Sequence, residues 1–327
     1  MKPVSIIVPC YNEEKTIRLL LDSLCYQTYP QEKMEVIIAD GGSTDRTRQR
    51  VGEFQSAHPE LVVKMIDNPA RSIPAGLNRA INAANGEVIV RLDAHSVPYS
   101  DYVSLSVSAL IQGKGDNVGG LWEIKPQGDD WQAQATACAA AHPLGVGDAR
   151  YRYSEQAQNV ETVPFGAFFK ELVNKIGLFN ENLLTNEDYE FNTRIRLSGG
   201  KIWFDPNIRS IYYARATFAE LARQYWRYGF WKARMLRSYP STIRWRQALP
   251  PVFVLSLAVL FILSLWVPFA RWLFVIELAT YFLLLFSVGF QQGIKQGNRS
   301  LILGVPLAIA CMHLVWGSAF LWSLITK

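Results

Sequence analysis

The chain is short of cysteine and of charge, and it lacks the glycine-rich loops of the common phosphate-binding folds. Four cysteines (Cys10, Cys25, Cys138 and Cys311) occur in 327 residues, with no C-x-x-C pair. That pattern excludes a disulfide framework and a structural zinc site. Reduced, packed thiols are expected instead. Charged residues make up 19% of the chain and hydrophobic ones 50%, against about 25% charged in ordinary soluble domains. This composition excludes a disordered chain, a collagen and a wholly soluble enzyme. The net charge of +5 is too small to imply nucleic-acid binding. The apolar run at residues 4–9 is too short, and too broken by Pro3 and Pro9, for a secretory signal. The globular part is therefore expected in the cytosol.

The missing charge is missing from one place. From Pro250 onward only Arg271, Glu277, Lys295, Arg299 and Lys327 are charged. Three apolar stretches, 250–270, 272–290 and 301–325, are each long enough to cross a ~30 Å hydrocarbon core as helix. Trp266, Trp272, Trp316 and Trp322 lie toward their ends, as interfacial anchors do. A tight turn at Arg271 would make the first two spans a hairpin; a re-entrant second segment is the alternative. Glu277 reads either as a residue paired inside the bundle or near the interface, or as part of a headgroup or substrate site.

Arg215, Arg223, Arg227, Lys232, Arg234, Arg237, Arg244 and Arg246 precede the first span with one acid, Glu220, among them. Lys295 and Arg299 lie between the second and third. The positive-inside rule puts both segments in the cytosol and the C-terminus outside. Residues 218–237 read as a helix rich in aromatics and arginine, which can lie in the headgroup plane. The expected organisation is a globular domain over 1–215, interfacial helices over 216–248 and three spans over 249–327.

In the globular part, strand-like runs at 4–8, 35–39, 62–66 and 87–92 alternate with helical spacing at 16–26, at 46–57 and at 75–84. That order predicts an α/β fold with a mostly parallel sheet covered by helices. Ligands of such sheets bind beyond the carboxyl ends of the strands. Three loops begin there: 9–14, 40–45 and 93–98. The first, Pro9-Cys10-Tyr11-Asn12-Glu13, contains no glycine, so a dinucleotide fingerprint is excluded, and no Walker A loop occurs. Tyr11, Glu13 and Asp40 offer instead a ring to stack on a base and carboxylates to accept hydrogen bonds from base or ribose.

Asp93-Ala94-His95 places two ligand-type side chains at i and i+2, able to hold a divalent ion or a ribose hydroxyl. Donor phosphates and water would complete a Mn²⁺ or Mg²⁺ shell. His58, His142 and His313 show no ligand spacing. Asn186-Glu187-Asp188-Tyr189-Glu190 crowds three carboxylates. The cluster is either a solvated helix start that complements the dipole or a site where one raised pKa suits a general base.

Taken in order, these loops and the later Gln224-Tyr225-Trp226-Arg227-Tyr228 resemble the family 2 glycosyltransferases, inverting enzymes of the GT-A (Rossmann-like, nucleotide-sugar-binding) fold. The resemblance covers residues 3–235. Arg71-Ser72-Ile73-Pro74-Ala75-Gly76-Leu77-Asn78, Val163-Pro164-Phe165-Gly166-Ala167-Phe168 and the apolar C-terminus are similar to the membrane-anchored, succinoglycan-type glucosyltransferases of exopolysaccharide assembly.

The resemblance implies roles. Pro9, Tyr11, Glu13 and Asp40 would hold the base and ribose of a nucleotide-sugar. Arg71 would approach the donor, Asp93 would contact the nucleotide and ligate metal, and His95 would ligate metal. Asp188 would be the general base. Glu187, Gln224, Trp226 and Arg227 would lie on the acceptor and diphosphate side. The implied reaction moves a sugar, glucose from UDP-glucose, onto a polyprenyl-diphosphate-linked glycan at the cytosolic face of a bacterial inner membrane. Alternatives are transfer to a polyprenyl phosphate, or a non-catalytic nucleotide-sugar-binding membrane scaffold. Asp93-Ala94-His95 stands where many relatives have Asp-x-Asp, Gly41 where many have a second aspartate, and Tyr228 where the family's Gln-x-x-Arg-Trp ends in tryptophan.

Overall fold

A computed structural model describes residues 1–326. In chain order its elements are β1 (Val4–Cys10), α1 (Ile17–Cys25), β2 (Met34–Asp40), α2 (Thr47–Ala57), β3 (Val62–Asp67), α3 (Ile73–Ala83), β4 (Val88–Arg91), β5 (Val97–Pro98) and α4 (Tyr102–Ile111). Then follow β6 (Asn117–Lys125), α5 (Trp131–Ala140), α6 (Pro143–Val146), β7 (Gln158–Asn159), β8 (Ala167–Phe169), α7 (Leu172–Ile176), α8 (Glu187–Leu197) and β9 (Ile202–Tyr213). The last four helices are α9 (Phe218–Ser238), α10 (Trp245–Ser264), α11 (Pro268–Lys295) and α12 (Leu301–Ile325).

The chain divides into two compact units. The first holds Met1–Glu123 and Arg150–Tyr212. Its sheet runs in the order β3-β2-β1-β4-β8-β6-β9-β5, with β7 on β9. The first four strands are parallel, and β8 then pairs antiparallel with both β4 and β6. The sheet is thus mixed; only its first half matches the expected parallel order. Alternate residues of β1 and β2 face two cores. Ile6, Val8, Val36 and Ile38 meet Leu20, Leu24, Phe54 and Val103 on one side. Ile7, Ile37 and Ala39 meet Leu77, Ile81, Phe191 and Ile195 on the other. Burial on both faces explains why these strands read as unbroken apolar runs. The registers Cys10↔Asp40 and Ile7↔Arg91 bring the carboxyl ends of β1, β2 and β4 to one edge.

The second unit gathers Ile124–Ala149 with the chain from Tyr213 onward. Residues 124–149, which the sequence reading leaves in the first domain, contribute α5 to a bundle around α12. Ala135 and Gly304 allow that approach: a Cβ on Gly304 would stand 2.7 Å from the Cβ of Ala135. Helix α9 buries Leu221, Tyr225, Gly229, Lys232, Ala233 and Leu236, and packs along α12. Arg237 closes the pair by donating to the carbonyls of Ser323 and Thr326.

Three helices, Trp245–Ser264, Pro268–Lys295 and Leu301–Ile325, are long and apolar enough to cross a membrane. The break between the first two lies at 265–267, not at Arg271, because Pro268 sits in the first turn of α11. Helix α11 then runs unbroken for 28 residues, about 42 Å, and shows no re-entrant turn. Glu277 is paired inside the bundle: Ser256 Oγ donates to it at 2.5 Å. His313 is likewise satisfied, its Nε2 donating to Leu144 O at 2.8 Å and its Nδ1 3.1 Å from Tyr281 Oη.

Candidate active site

The loops after β1 and β2 are laced together. Asn12 donates its N–H to Ser43 Oγ at 2.9 Å and accepts the Thr44 N–H at 2.8 Å. Glu13 N–H donates to Thr47 Oγ1 at 2.7 Å, and Glu14 exchanges bonds with Asp45 and Arg46. Asn12 accepts a left-handed φ of 55° to do so, which asparagine tolerates better than most residues.

Two glycines shape what this double loop presents. A Cβ on Gly41 would stand 3.3 Å from Tyr11 Cδ2, so the ring lies over the glycine. A Cβ on Gly42 would stand 3.5 Å from Arg71 Nη2. Tyr11 and Arg71 are both exposed, and Arg71 holds a φ of 53° just before α3. The loop therefore carries a ring and a guanidinium side by side. Pro9 lies at the end of the same strand, opposite Ala39.

Asp40 has a different place from the one expected. It has no exposed surface. Ser43 Oγ donates to it at 2.5 Å, the N–H groups of Ser43 and Gly42 at 3.1 and 3.2 Å, and Arg48 Nε at 2.6 Å. Burial pushes the carboxyl upward, but Ser43 and Arg48 outweigh it and hold the group below its ordinary value. Asp40 is the internal acceptor of the 40–45 turn.

The third loop joins the first. His95 Nδ1 lies 3.1 Å from Glu13 Oε1. Asp93 closes its own turn, its carbonyl accepting from Ser96 N–H and Oγ. Asp93, His95 and Glu13 are all half-buried.

The residue that sequence reasoning missed is Arg91. It ends β4, an otherwise apolar strand, and is 4% exposed. Its Nη2 bonds Glu187 Oε1 at 2.8 Å and Asp93 Oδ1 at 3.4 Å. Burial alone would lower the guanidinium pKa; Asp93, Glu187 and Asp188 reverse that and keep it firmly charged. A cation inside a buried strand, two residues from Asp93, was the available signal.

Helix α8 starts at Glu187, behind Asn186 in the left-handed region. Its three acids part company. Glu190 is buried and pairs with Arg194 at 2.8 Å. Glu187 is buried on Arg91. Asp188 is half-buried, and its Oδ1 accepts the Tyr189 N–H at 2.7 Å. Tyr189 is anchored through its hydroxyl on Glu161. The cluster is not a solvated face. Burial raises the pKa of both Glu187 and Asp188, with Arg91 opposing. Tyr151, raised by burial and by Asp188 against Arg152, is a second neighbour that the sequence did not point to.

Gln224, Trp226 and Arg227 belong to the second unit, on α9. Gln224 Nε2 donates to Tyr228 Oη at 2.9 Å, so the tyrosine in the tryptophan position bonds within the element. Elsewhere, Cys25, His58 and Glu60 approach within 4.8 Å of one another. However, Glu60 takes His58 Nδ1 at 3.0 Å and Arg18 approaches Nε2 at 3.4 Å. The nearby guanidinium opposes a cation there.

The family profile described as Glycosyl transferase family 2 matches residues 5–177, which hold all three strand-end loops. The chain is a family 2 glycosyltransferase. Two curated relatives match nearly the whole chain of this transferase. One is the dolichyl N-acetyl-alpha-D-glucosaminyl phosphate 3-beta-D-2,3-diacetamido-2,3-dideoxy-beta-D-glucuronosyltransferase of Methanococcus voltae, 28% identical over 92% of this chain and 99% of its own. The other is the succinoglycan biosynthesis protein ExoA of Rhizobium meliloti, 28% identical over 96% and 93%. Among solved structures, the mannosyltransferase PcManGT from Pyrobaculum calidifontis, in complex with GDP-Man and Mn²⁺, superposes with a TM-score of 0.69. That match is 21% identical and covers 100% of this chain and 88% of the other. The GT-A fold is thereby shared.

Proposed function

We propose that this transferase inverts the anomeric centre of a nucleotide-sugar and passes the sugar to a lipid-linked glycan at the membrane, with Asp188 as general base. The observation that carries this reading is the placement of Asp188 beside Glu187, whose partner Arg91 also holds Asp93. Asp93 opens the 93–98 loop, and Asp188 follows Glu187 in the first turn of α8. Tyr11 and Pro9 would hold the base, Glu13 the ribose, and Arg71 the diphosphate. Asp40 would act through the turn it fixes. Glu187, Gln224, Trp226 and Arg227 would serve the acceptor and diphosphate side.

The acceptor hydroxyl oxygen forms a bond to the anomeric carbon as the bond to the diphosphate oxygen breaks. Asp188 takes the hydroxyl proton, and the nucleoside diphosphate leaves. Attack from the opposite face gives a β-linked product from an α-linked donor. Asp93 and His95 fit a Mn²⁺ or Mg²⁺ ion, since a carboxylate and an imidazole on one turn leave coordination positions for donor phosphates. When bound, the ion neutralises charge on the leaving diphosphate.

UDP-glucose is the donor in this reading. A relative from Escherichia coli, UDP-Glc:alpha-D-GlcNAc-diphosphoundecaprenol beta-1,3-glucosyltransferase WfgD, supports it at 30% identity over 37% of this chain. The three apolar helices and the basic segment before them support a cytosolic first unit at a bacterial inner membrane. The test is nucleotide release by the detergent-purified protein from a panel of UDP- and GDP-sugars, with Mn²⁺ or Mg²⁺ and a polyprenyl-linked acceptor extract. Asp188→Asn should keep nucleotide binding and lose at least ~10²-fold in turnover, the size of a general-base contribution. Equal release by both proteins would remove Asp188 from the chemistry and favour a lipid-phosphate acceptor, which is already ionised.

A further inference from the structure

We infer that Arg91 is the positioning residue of the transfer: through Glu187 and Asp93 it fixes the start of α8 against the end of β4. The inference rests on the reading of Asp188 as base and adds a residue which that reading does not require. One nitrogen, Nη2, serves both carboxylates, at 2.8 Å to Glu187 and 3.4 Å to Asp93. Glu187 is the first residue of α8 and Asp188 the second, so the bond to Glu187 sets where the base stands. Asp93 lies two residues beyond Arg91, so the same guanidinium sets where the donor-side carboxylate stands. Phe179 packs over the guanidinium face, its centroid 6.0 Å from Cζ, and limits its rotation.

The arrangement is costly for a purely structural part. Arg91 Nε and Nη1 are buried with no hydrogen-bond partner among the described residues, and such groups ordinarily find one. A buried ion pair is also weak evidence of stability, because an apolar pair of similar volume often does as well. A buried guanidinium whose one nitrogen holds two site carboxylates has a use that an apolar pair cannot supply. Misplacing reacting groups by about 1 Å costs about 10²-fold in rate.

The test is a double-mutant cycle in the full-length, detergent-purified protein: Arg91→Met, Glu187→Gln and the two combined. Turnover is expressed per nucleotide-binding site, counted by UDP titration, so that misfolded molecules drop out. Arg91→Met should lower kcat by about 10- to 100-fold and raise the donor KM to a smaller extent, because Asp93 also loses its partner. The combined variant should be no slower than the slower single variant, because the two residues act as one unit. Unchanged kcat per site, losses that multiply, or a loss confined to donor KM would each overturn the role. Should Arg91→Met fail to fold, Arg91→Lys keeps the charge but its shorter side chain draws the nitrogen away from the Nη2 position, and it should show a kcat loss of the same kind, smaller than that of Arg91→Met. Asp188→Asn in the same series keeps the outcomes separate. If it turns over normally the base assignment fails, while the Arg91–Glu187 coupling is still read from its own cycle.

Discussion

The ring of Tyr11 packs on the bare Cα of Gly41: a side-chain Cβ there would stand 3.3 Å from Tyr11 Cδ2 and 3.4 Å from its Cβ. The bare Cα lets the aromatic ring settle against the 40–45 turn. Gly41→Ala should therefore displace Tyr11 by a few tenths of an ångström. A displaced ring that loses about 1 kcal/mol of its stacking on the base should raise the donor KM roughly fivefold with kcat nearly unchanged. Gly41→Asp should do the same or more. A donor KM equal to wild type in both would mean that the ring does not contact the donor.

Asp40 gives a stability prediction with a defined sign. Its carboxyl titrates below the ordinary value of 3.8 when folded. A depressed folded value means that the stabilisation is full above the unfolded pKa and is lost as pH falls through the folded one. Asp40→Asn should cost about 2 kcal/mol at neutral pH, discounted from a fully buried pair because Arg48 is half exposed. That is a fall of ~5 °C in the unfolding midpoint. The gap between variant and wild type should close as pH drops below about 4. A gap that stayed constant down to pH 3 would show that the charge contributes nothing.

Much of the first unit was legible because its elements obey local rules. The runs at 4–8 and 35–39 are apolar since both sheet faces are covered, and α3 begins where Ser72 caps it by accepting from Ala75 N–H at 3.4 Å. The antiparallel half was not legible. Strands β7 and β8 are two and three residues long, too short to show a period. Arg91 was hidden for a different reason: its meaning comes from Glu187, 96 positions away. Helix α9 was read correctly as aromatic and basic, but its apolar stripe has a protein partner. Gly229 admits the backbone of α12 so closely that a Cβ would stand 2.2 Å from Trp316 O. Periodicity shows that a stripe must be covered and does not say by what.

The bond between His95 Nδ1 and Glu13 Oε1 ties the metal expectation to the donor loop. His95→Ala should weaken nucleotide binding only where binding depends on metal. Titrated with UDP in Mn²⁺, the variant should bind about 10-fold more weakly than wild type, the lower end of what altering a metal's surroundings costs. In chelator the two proteins should bind alike, because the loop 40–45 and Tyr11 are untouched. Chelation of the wild type should also abolish turnover, and added Mn²⁺ should restore it. Glu13→Gln separates the two roles of this pair. It keeps an acceptor for His95, so metal-dependent binding should survive while ribose recognition weakens in the presence and absence of metal alike. Full activity of chelated wild type would sink the metal assignment for Asp93 and His95 together. A His95→Ala loss that persisted equally in chelator would instead make His95 a loop anchor, holding Glu13 in place with no part in coordination.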